Sequence, residues 1–264
     1  MGKRNNPKAI LFICEGVSDK DALENLLNEI FNPIRVVPIV YRGDITTSFD
    51  QRVIKSEIGN AIKGSLNQDY SSTPALLRLE DLVGVVLLTD TDGCYISDSS
   101  VIYDHRYRHP FYQPDVILTD KPENICKRNK RKSKNLNILY STKIVSITDN
   151  AQKAEKRIPF SVYYCSCNLD HIISNDSNMD QSLKQDNALD FAEDYADDPV
   201  QFINFLNDGL LPEESKQYLP SWDFIKLSTN SLKRYSNLIV FLIDHYDDLT
   251  PEAQQRLREL GCHE

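Results

Sequence analysis

Two short apolar runs that each end on carboxylates constrain the fold of this chain most strongly. Residues 10–16 read ILFICEG, and residues 83–93 read VGVVLLTDTDG. Both runs are continuous and rich in β-branched residues, as in strands buried on both faces of a parallel sheet. The sequence therefore predicts two central strands, with Glu15 after the first and Asp90 and Asp92 after the second.

The segments around these runs alternate between helical and strand patterns. Leucine and isoleucine recur at helical spacing up to Ile30, with Ser18 or Asp19 as the expected N-cap of that helix. A further strand is predicted at 34–40 and a further helix at 49–66. The order strand, helix, strand, helix, strand is typical of a parallel sheet with covering helices, so we predict an α/β fold.

In sheets of this kind, functional sites form at the carboxyl ends of the strands, where Glu15, Asp90 and Asp92 are expected. Asp90 and Asp92 are two residues apart, so both would point the same way from an extended segment, and Gly93 would then allow a sharp turn. A hard divalent cation such as Mg²⁺ prefers oxygen ligands of this type. Asp19 has two interpretations, a metal ligand or an ordinary helix cap.

The two motifs together resemble the signature of the Toprim family. In that signature, one apolar strand ends in Glu-Gly with an aspartate a few residues later, and a second ends in Asp-x-Asp-Gly. The family includes topoisomerases, primases, small RNA-maturing nucleases and the overcoming-lysogenization-defect (OLD) nucleases. The resemblance covers about residues 8–170 and implies a Toprim-like, mainly parallel sheet with flanking helices. The matching residues are Glu15, Gly16, Asp19, Asp90, Asp92 and Gly93.

The resemblance implies a stand-alone nuclease that uses Mg²⁺ or Mn²⁺ to cleave phosphodiester bonds of DNA or RNA, as an effector in anti-phage defence. Glu15 would be a metal ligand or a general base, while Asp90 and Asp92 would hold the cation. Related nucleases tend to carry a further acidic residue after a later strand, and Asp170 is the candidate ligand for a second metal. His171 beside it is either a catalytic or binding group or a buried histidine.

A nuclease also needs a cation for the negative charge that develops in the transition state. Two later strands are predicted, at 137–148 and 158–169. Lys143 lies in the first of them, where a lysine is less expected than a β-branched residue, and it is our candidate for this catalytic role. The alternative is a lysine whose ammonium reaches solvent from an exposed edge.

Residues 95–134 interrupt the strand and helix pattern and are rich in aromatic and basic residues. We interpret them as a basic insertion that contacts nucleic acid, because phosphates attract Lys and Arg, and bases stack on aromatic rings. A solvated loop is the alternative. The predicted contacts are Arg106, Arg108, Lys127, Arg128, Lys130, Arg131, Lys132 and Lys134.

Charge is divided unevenly along the chain, whose formal net charge is −9. Residues 161–264 carry 7 Lys and Arg against 19 Asp and Glu. The change in composition predicts a division near residue 174, with an acidic helical region at 175–264. The resemblance implies that residues 1–174 are a Toprim-like catalytic domain. Helices are expected there at 230–249 and 250–260, the latter with an N-cap threonine followed by proline.

Other features bear on location and partners. No apolar run approaches the ~20 residues of a membrane span, so we expect a cytoplasmic protein with no membrane partner. No P-loop pattern is present, and any ATP hydrolysis would need a separate ATPase or sensor protein. The resemblance implies a homo-oligomer. The alternative to a nuclease is a non-catalytic Toprim-like module that binds nucleic acid or another protein.

Overall fold

A computed structural model describes residues 8–42, 46, 79–149 and 154–263 of the 264-residue chain. The helix predicted at 49–66 lies outside the described residues. The described part forms a five-stranded sheet, a three-stranded sheet and eight α-helices. The predicted α/β class is confirmed.

The five-stranded sheet is mostly parallel. The strands, in chain order, are β1 (Lys8–Cys14), β2 (Val36–Arg42), β3 (Leu82–Asp90), β4 (Val101–Tyr103), β5 (Phe111–Tyr112), β6 (Ile117–Thr119), β7 (Ile144–Asp149) and β8 (Ala154–Cys165). The main sheet has the order β2-β1-β3-β8-β7, with all neighbours parallel except β7, which pairs antiparallel with β8. The order places β1 beside β3, so Glu15 and Asp90 lie at the carboxyl ends of adjacent strands.

Helices cover both faces of the main sheet. They are α1 (Val17–Ile30), α2 (Pro122–Ser141), α3 (Leu169–Ser174), α4 (Lys184–Asp194), α5 (Val200–Asn207), α6 (Tyr218–Ile225), α7 (Leu238–Asp244) and α8 (Pro251–Glu259). Side chains alternate between faces along a strand. Phe12 of β1 accordingly belongs to the core formed with α1 and α7, whereas Leu11 belongs to the core formed with α2 and α6. None of the described helices is both long and apolar enough to cross a membrane.

The parts of the chain on either side of residue 174 share these two cores. The rings of Phe12 in β1 and Phe241 in α7 have centroids 5.3 Å apart. Trp222 of α6 is fully buried and stacks on Tyr140 of α2, with centroids 4.8 Å apart. Helices from the acidic region therefore complete both faces of the sheet.

The basic run KRNKRKSK lies on a helix, and the loop interpretation is wrong. α2 also includes the first residues of the strand predicted at 137–148, which begins only at Ile144. Leu136 and Leu139 are three residues apart and buried together against the sheet, which favours a helix there. The insertion predicted at 95–134 thus consists of the small sheet β4-β6-β5 and most of α2.

The helix predicted at 230–249 is only partly helical. The residues before α7 run beside β8, where Ser236 forms an isolated bridge with Cys165. Pairing with a strand end satisfies their backbone groups in place of helical hydrogen bonds. The last helix, α8, begins as predicted, since the Thr250 hydroxyl accepts the backbone N–H of Ala253 at 3.3 Å.

Candidate active site

Three carboxylates lie together at the carboxyl edge of the main sheet. Glu15 follows β1, and its Oε1 accepts hydrogen bonds from the Thr89 hydroxyl at 2.5 Å and the Asp90 backbone N–H at 3.3 Å. The Thr46 hydroxyl donates to the same oxygen at 3.1 Å. Asp92 lies two residues beyond the end of β3. Threonine hydroxyls therefore orient Glu15 toward the aspartate loop.

The aspartate loop has a strained conformation. Asp92 and Gly93 have φ values of 50° and 65°, so Asp92 is not extended as the spacing argument assumed. A Cβ on Gly93 would lie 2.4 Å from Cδ2 of Leu232, which leaves room for glycine alone. The Thr91 hydroxyl donates to the backbone oxygen of Ser231 at 3.1 Å. The acidic region thus supports the loop that carries Asp92.

Two cations from α2 compensate the charge of Asp92. The Lys132 side chain is 3% exposed, and its ammonium lies 2.5 Å from Asp92 Oδ2 and 3.6 Å from Glu15 Oε2. Arg128, one turn earlier, donates to the Asp92 backbone oxygen at 2.7 Å and to the Tyr112 hydroxyl at 2.9 Å. Burial alone would raise the pKa of Asp92. The positive charges of Lys132 and Arg128 together have the larger effect, so the pKa of Asp92 is lowered. Both residues, predicted as nucleic-acid contacts, therefore face the carboxylates.

Asp90 has no comparable compensation. Its carboxylate is half-buried and accepts no hydrogen bond from any residue that the structure describes. Burial, followed by the carboxylates of Asp19, Glu15 and Asp92, raises the pKa of Asp90 well above its ordinary value. A carboxyl group in such surroundings favours a bound proton or an added cation.

A second acidic pair consists of Asp19, which lies close enough to influence Asp90, and Asp170, which lies close enough to influence Asp19. The N-cap of α1 is Gly16, and Asp19 stands at the third helical position, where its Oδ2 accepts the Gly16 N–H at 2.7 Å. Burial raises the pKa of Asp19, and Asp170 raises it further. Asp170 is 5% exposed and forms an ion pair with Lys184 at the start of α4.

His171 is a buried histidine at the start of α3. Its backbone N–H donates to the side chain of Asn168 at 2.9 Å, while its ring Nδ1 has no hydrogen-bond partner among the described residues. Burial lowers the pKa of His171, so its neutral form is favoured. Its position fits the buried-histidine interpretation.

Lys143 lies away from the carboxylates. Its backbone oxygen accepts the N–H of Phe160, which pairs with Val85 roughly 16 Å before the carboxyl end of β3. The Lys143 ammonium lies over the Tyr218 ring, 3.9 Å from the centroid. The expectation that Lys143 supplies the cation at this edge is therefore wrong in position, and Lys132 occupies that place.

The carboxylates of the edge have the chemistry of a metal site but not its geometry. In the described ranges, no three His, Cys, Asp or Glu side chains are arranged to hold a metal ion. The Lys132 ammonium contacts one oxygen of Asp92 and approaches Glu15. The donor chemistry nevertheless fits a hard cation, since the available ligands are all carboxylate oxygens. The carboxylate of Asp90 accepts no hydrogen bond from a described residue. Glu15, Asp90 and Asp92 are the residues that would hold Mg²⁺ or Mn²⁺.

No protein-family model, curated protein or solved structure matches this chain. The Toprim resemblance therefore depends on the two motifs themselves. Any function assigned to the site must be argued from its own chemistry.

The remaining predicted nucleic-acid contacts lie on two surfaces. One is the outer side of α2, where the Lys130 ammonium lies 2.5 Å from Asp98. The other is a cleft of about 730 Å³ lined in part by Arg106 and Arg108. The outer side of α2 carries Lys127, Lys130, Arg131 and Lys134.

Sequence reasoning missed Lys184 and the contact of Tyr112 with Asp92. Lys184 is the one lysine or arginine between Arg157 and Lys216, and this isolation in an acidic stretch was a usable signal. Tyr112 was predicted only as one of the aromatic stacking surfaces of the basic insertion. Its hydroxyl reaches Asp92 at 3.3 Å through a contact that local sequence patterns do not encode.

Proposed function

We propose that this protein is a metal-dependent nuclease of the Toprim type, which hydrolyses phosphodiester bonds of DNA or RNA with Mg²⁺ or Mn²⁺. The observation that carries the proposal is the meeting of Glu15, Asp90 and Asp92 at the ends of adjacent parallel strands. Asp90 accepts no hydrogen bond from a described residue there, and its pKa is raised by burial, followed by the excess of negative charge from Asp19, Glu15 and Asp92. A divalent cation would relieve that excess.

Each residue of the edge has a distinct task in this proposal. A bound metal ion would polarise the phosphate and lower the pKa of its water. Glu15, oriented by Thr89, is a ligand or accepts the proton of that water. Burial alone would lower the pKa of Lys132, but the negative charges of Asp92 and Glu15 together have the larger effect and raise it. The ammonium therefore stays charged and can stabilise negative charge on the phosphate.

The surroundings of the edge support a nucleic-acid substrate. The outer side of α2 and the cleft beside Tyr112 both present basic side chains. A role as an effector in anti-phage defence, a homo-oligomeric state, a cytoplasmic location and a separate ATPase or sensor partner belong to the proposal through the resemblance alone.

A second candidate is a non-catalytic module that binds nucleic acid. It is favoured by the ion pairs of Lys132, which compensate Asp92 and approach Glu15 without a metal ion. In that case the carboxylates would hold α2 in place, and Asp90 would be protonated.

Cleavage assays on single- and double-stranded DNA and RNA distinguish the two candidates. We expect cutting with Mg²⁺ or Mn²⁺, none with EDTA, and at least about a 100-fold loss in Asp90→Asn and Glu15→Gln. Asp223→Asn is the control, because Asp223 is an exposed carboxylate that pairs with Lys226 and belongs neither to the edge nor to the basic surfaces. Equal cutting by Asp90→Asn would contradict the mechanism, whereas metal-independent binding with no cutting would favour the second candidate.

A further inference from the structure

The cleft beside the carboxylate edge lies between residues 106–112 and residues 168–184. Arg106, Arg108 and Lys184 line it, and none of its described lining residues is Asp or Glu. This is notable in a chain with a formal net charge of −9. Arg106 is paired with Asp104 and Lys184 with Asp170, so Arg108 is the lining cation that is left to attract a phosphate-bearing ligand.

One wall of the cleft offers aromatic rings. Tyr107 and Phe111 stack on each other with centroids 4.5 Å apart, and both are half-buried. The Arg106 guanidinium lies 5.4 Å from the Tyr107 centroid. Unpaired bases stack on such rings regardless of sequence, whereas the bases inside a duplex are already stacked on one another.

The two walls are joined before any ligand binds. The side chain of Asn178 accepts the Tyr112 backbone N–H at 2.7 Å and donates to its backbone oxygen at 2.8 Å. Within the second wall, the Asn168 amide donates to the backbone oxygen of Ser177 at 3.0 Å. A ligand would therefore enter a preformed cleft and spend little binding free energy on ordering it.

Both walls also contact the acidic residues of the edge. The backbone of Tyr112 lies in one wall, while its hydroxyl donates to Asp92 Oδ1 at 3.3 Å. Lys184 lies in the other wall and forms the ion pair with Asp170. A nucleotide in the cleft would thus lie next to the carboxylates.

We propose that the cleft binds an unpaired nucleotide next to the phosphate to be cleaved, so that the substrate class is single-stranded nucleic acid. The base lies against Tyr107 and Phe111. Arg108, which is exposed and has no hydrogen bond or ion pair with any described residue, contacts a phosphate. The inference rests on the proposed function as far as cleavage of the neighbouring phosphate is concerned. The binding of the nucleotide itself needs no metal ion.

The first test measures binding by the full chain in EDTA, where no cleavage occurs. Fluorescein-labelled DNA and RNA strands of about 12 nucleotides are compared with duplexes of the same sequence, and we expect single strands to bind at least about tenfold tighter. A strand with 2-aminopurine should lose fluorescence on binding, because its base stacks on the aromatic wall. Equal or tighter binding of the duplex, or unchanged 2-aminopurine fluorescence, would overturn the inference.

Variants locate the binding in the cleft. Tyr107→Ala and Phe111→Ala should each weaken single-strand binding about tenfold, while Tyr107→Phe, which keeps the ring, should not. Tyr103→Ala is the control, since Tyr103 is 64% exposed on β4 and does not line the cleft. Far-UV circular dichroism of each variant verifies its fold. Unchanged affinity in both alanine variants would overturn the inference.

The outcomes separate this inference from the nuclease proposal. Metal-dependent cleavage without any effect of the cleft variants would overturn the inference and leave the nuclease. Binding that depends on Tyr107 and Phe111, with no cleavage in Mg²⁺ or Mn²⁺, would support the cleft and contradict the nuclease.

Discussion

At the residue scale, Asp90 and Asp92 are two positions apart but lie in opposite electrostatic surroundings. Asp92 is paired with Lys132, and its pKa is lowered. Burial, followed by the carboxylates of Asp19, Glu15 and Asp92, raises the pKa of Asp90 against the opposing charges of Lys132 and Lys184. The ionised side chain of Asp90 therefore opposes folding at neutral pH, whereas that of Asp92 favours it.

This difference predicts opposite effects of two isosteric substitutions. The folded-state pKa of Asp90 is raised, so its contribution to stability is lost as pH rises through that pKa. At about pH 7.5, Asp90→Asn should keep the free energy of unfolding or increase it by on the order of 1 kcal/mol. Asp92→Asn should decrease it by about 3 kcal/mol, because Lys132 stays buried without its partner. Urea denaturation measures both, and similar losses in the two variants would contradict the assignment.

Gly93 and Gly209 provide a matched test of the aspartate loop. Both have positive φ, but a Cβ at Gly209 would meet nothing within 4 Å, whereas one at Gly93 would collide with Leu232. Gly209→Ala should cost about 1 kcal/mol of unfolding free energy for backbone conformation alone. Gly93→Ala should cost about 2 kcal/mol more. In the Leu232→Ala background, the extra cost should shrink, and an unchanged cost would show that Leu232 is not its cause.

His171 predicts a specific pH dependence of stability. Because burial lowers its pKa, the unfolded chain binds the proton of His171 more readily than the folded chain. Its stabilising contribution is present above about pH 6.5 and is lost as pH falls below that value, by up to about 1.4 kcal/mol per pH unit. His171→Gln should flatten this part of the stability curve. The exposed His105→Gln serves as control, and an equal slope in wild type and His171→Gln would contradict the prediction.

At the element scale, α2 connects the basic segment to the acidic edge. Arg128, Lys132 and Asn135 recur at helical spacing and form one inward stripe. Lys132 and Asn135 are buried, and the amide of Asn135 donates to the Thr46 backbone oxygen at 3.0 Å. The same helix presents Lys130 and Lys134 to solvent. Because of the helical period, a single run of basic residues thus contributes both to the buried stripe and to the solvent-exposed side of α2.

Lys132→Met tests whether this stripe substitutes for a metal ion. Loss of the Lys132 ammonium should reduce the unfolding free energy by about 3 kcal/mol, since the carboxylates that it contacts lose a buried partner. Millimolar Mg²⁺ should restore part of that stability and should raise the melting temperature of the variant more than that of wild type. Lys130→Met, which breaks an exposed ion pair, should change stability by less than about 0.5 kcal/mol. Equal Mg²⁺ effects in Lys132→Met and wild type would show that ammonium and metal do not compete.

At the scale of the whole molecule, the acidic region is part of the sheet's covering layers. It contributes Phe241 to one face and Trp222 to the other, and it provides Leu232 beneath the aspartate loop and Lys184 beside Asp170. Its removal would expose the sheet on both faces. Apolar area on that scale determines whether a domain folds at all.

The chain should therefore unfold as one cooperative unit. Trp222 is the single tryptophan, and its N–H donates to the Val162 backbone oxygen at 3.2 Å, so its fluorescence reports the docking of α6 on β8. In urea, Trp222 fluorescence and far-UV circular dichroism should have coincident midpoints. An earlier midpoint for Trp222 would indicate that residues 175–264 fold separately, as the composition predicted. Residues 1–174 alone should be aggregated or unfolded.

The sequence alone determined the elements whose signals are local. The apolar runs of β1 and β3 and the caps of α8 depend on residues within one or two turns of each other, so their types could be predicted. The placement of Glu15, Asp90 and Asp92 at one edge followed from the predicted parallel direction of the strands, because parallel strands align their carboxyl ends.

Only the tertiary structure decided which cation serves which carboxylate. Asp92 is paired with Lys132 and Asp170 with Lys184, while the Lys143 ammonium lies over the Tyr218 ring, away from the carboxyl edge. Such pairs form where elements pack, and the energy that selects them comes from burial shared by segments distant in the chain. Residue types and spacing do not contain that information, because a lysine has the same chemistry on a solvated face as against a buried carboxylate.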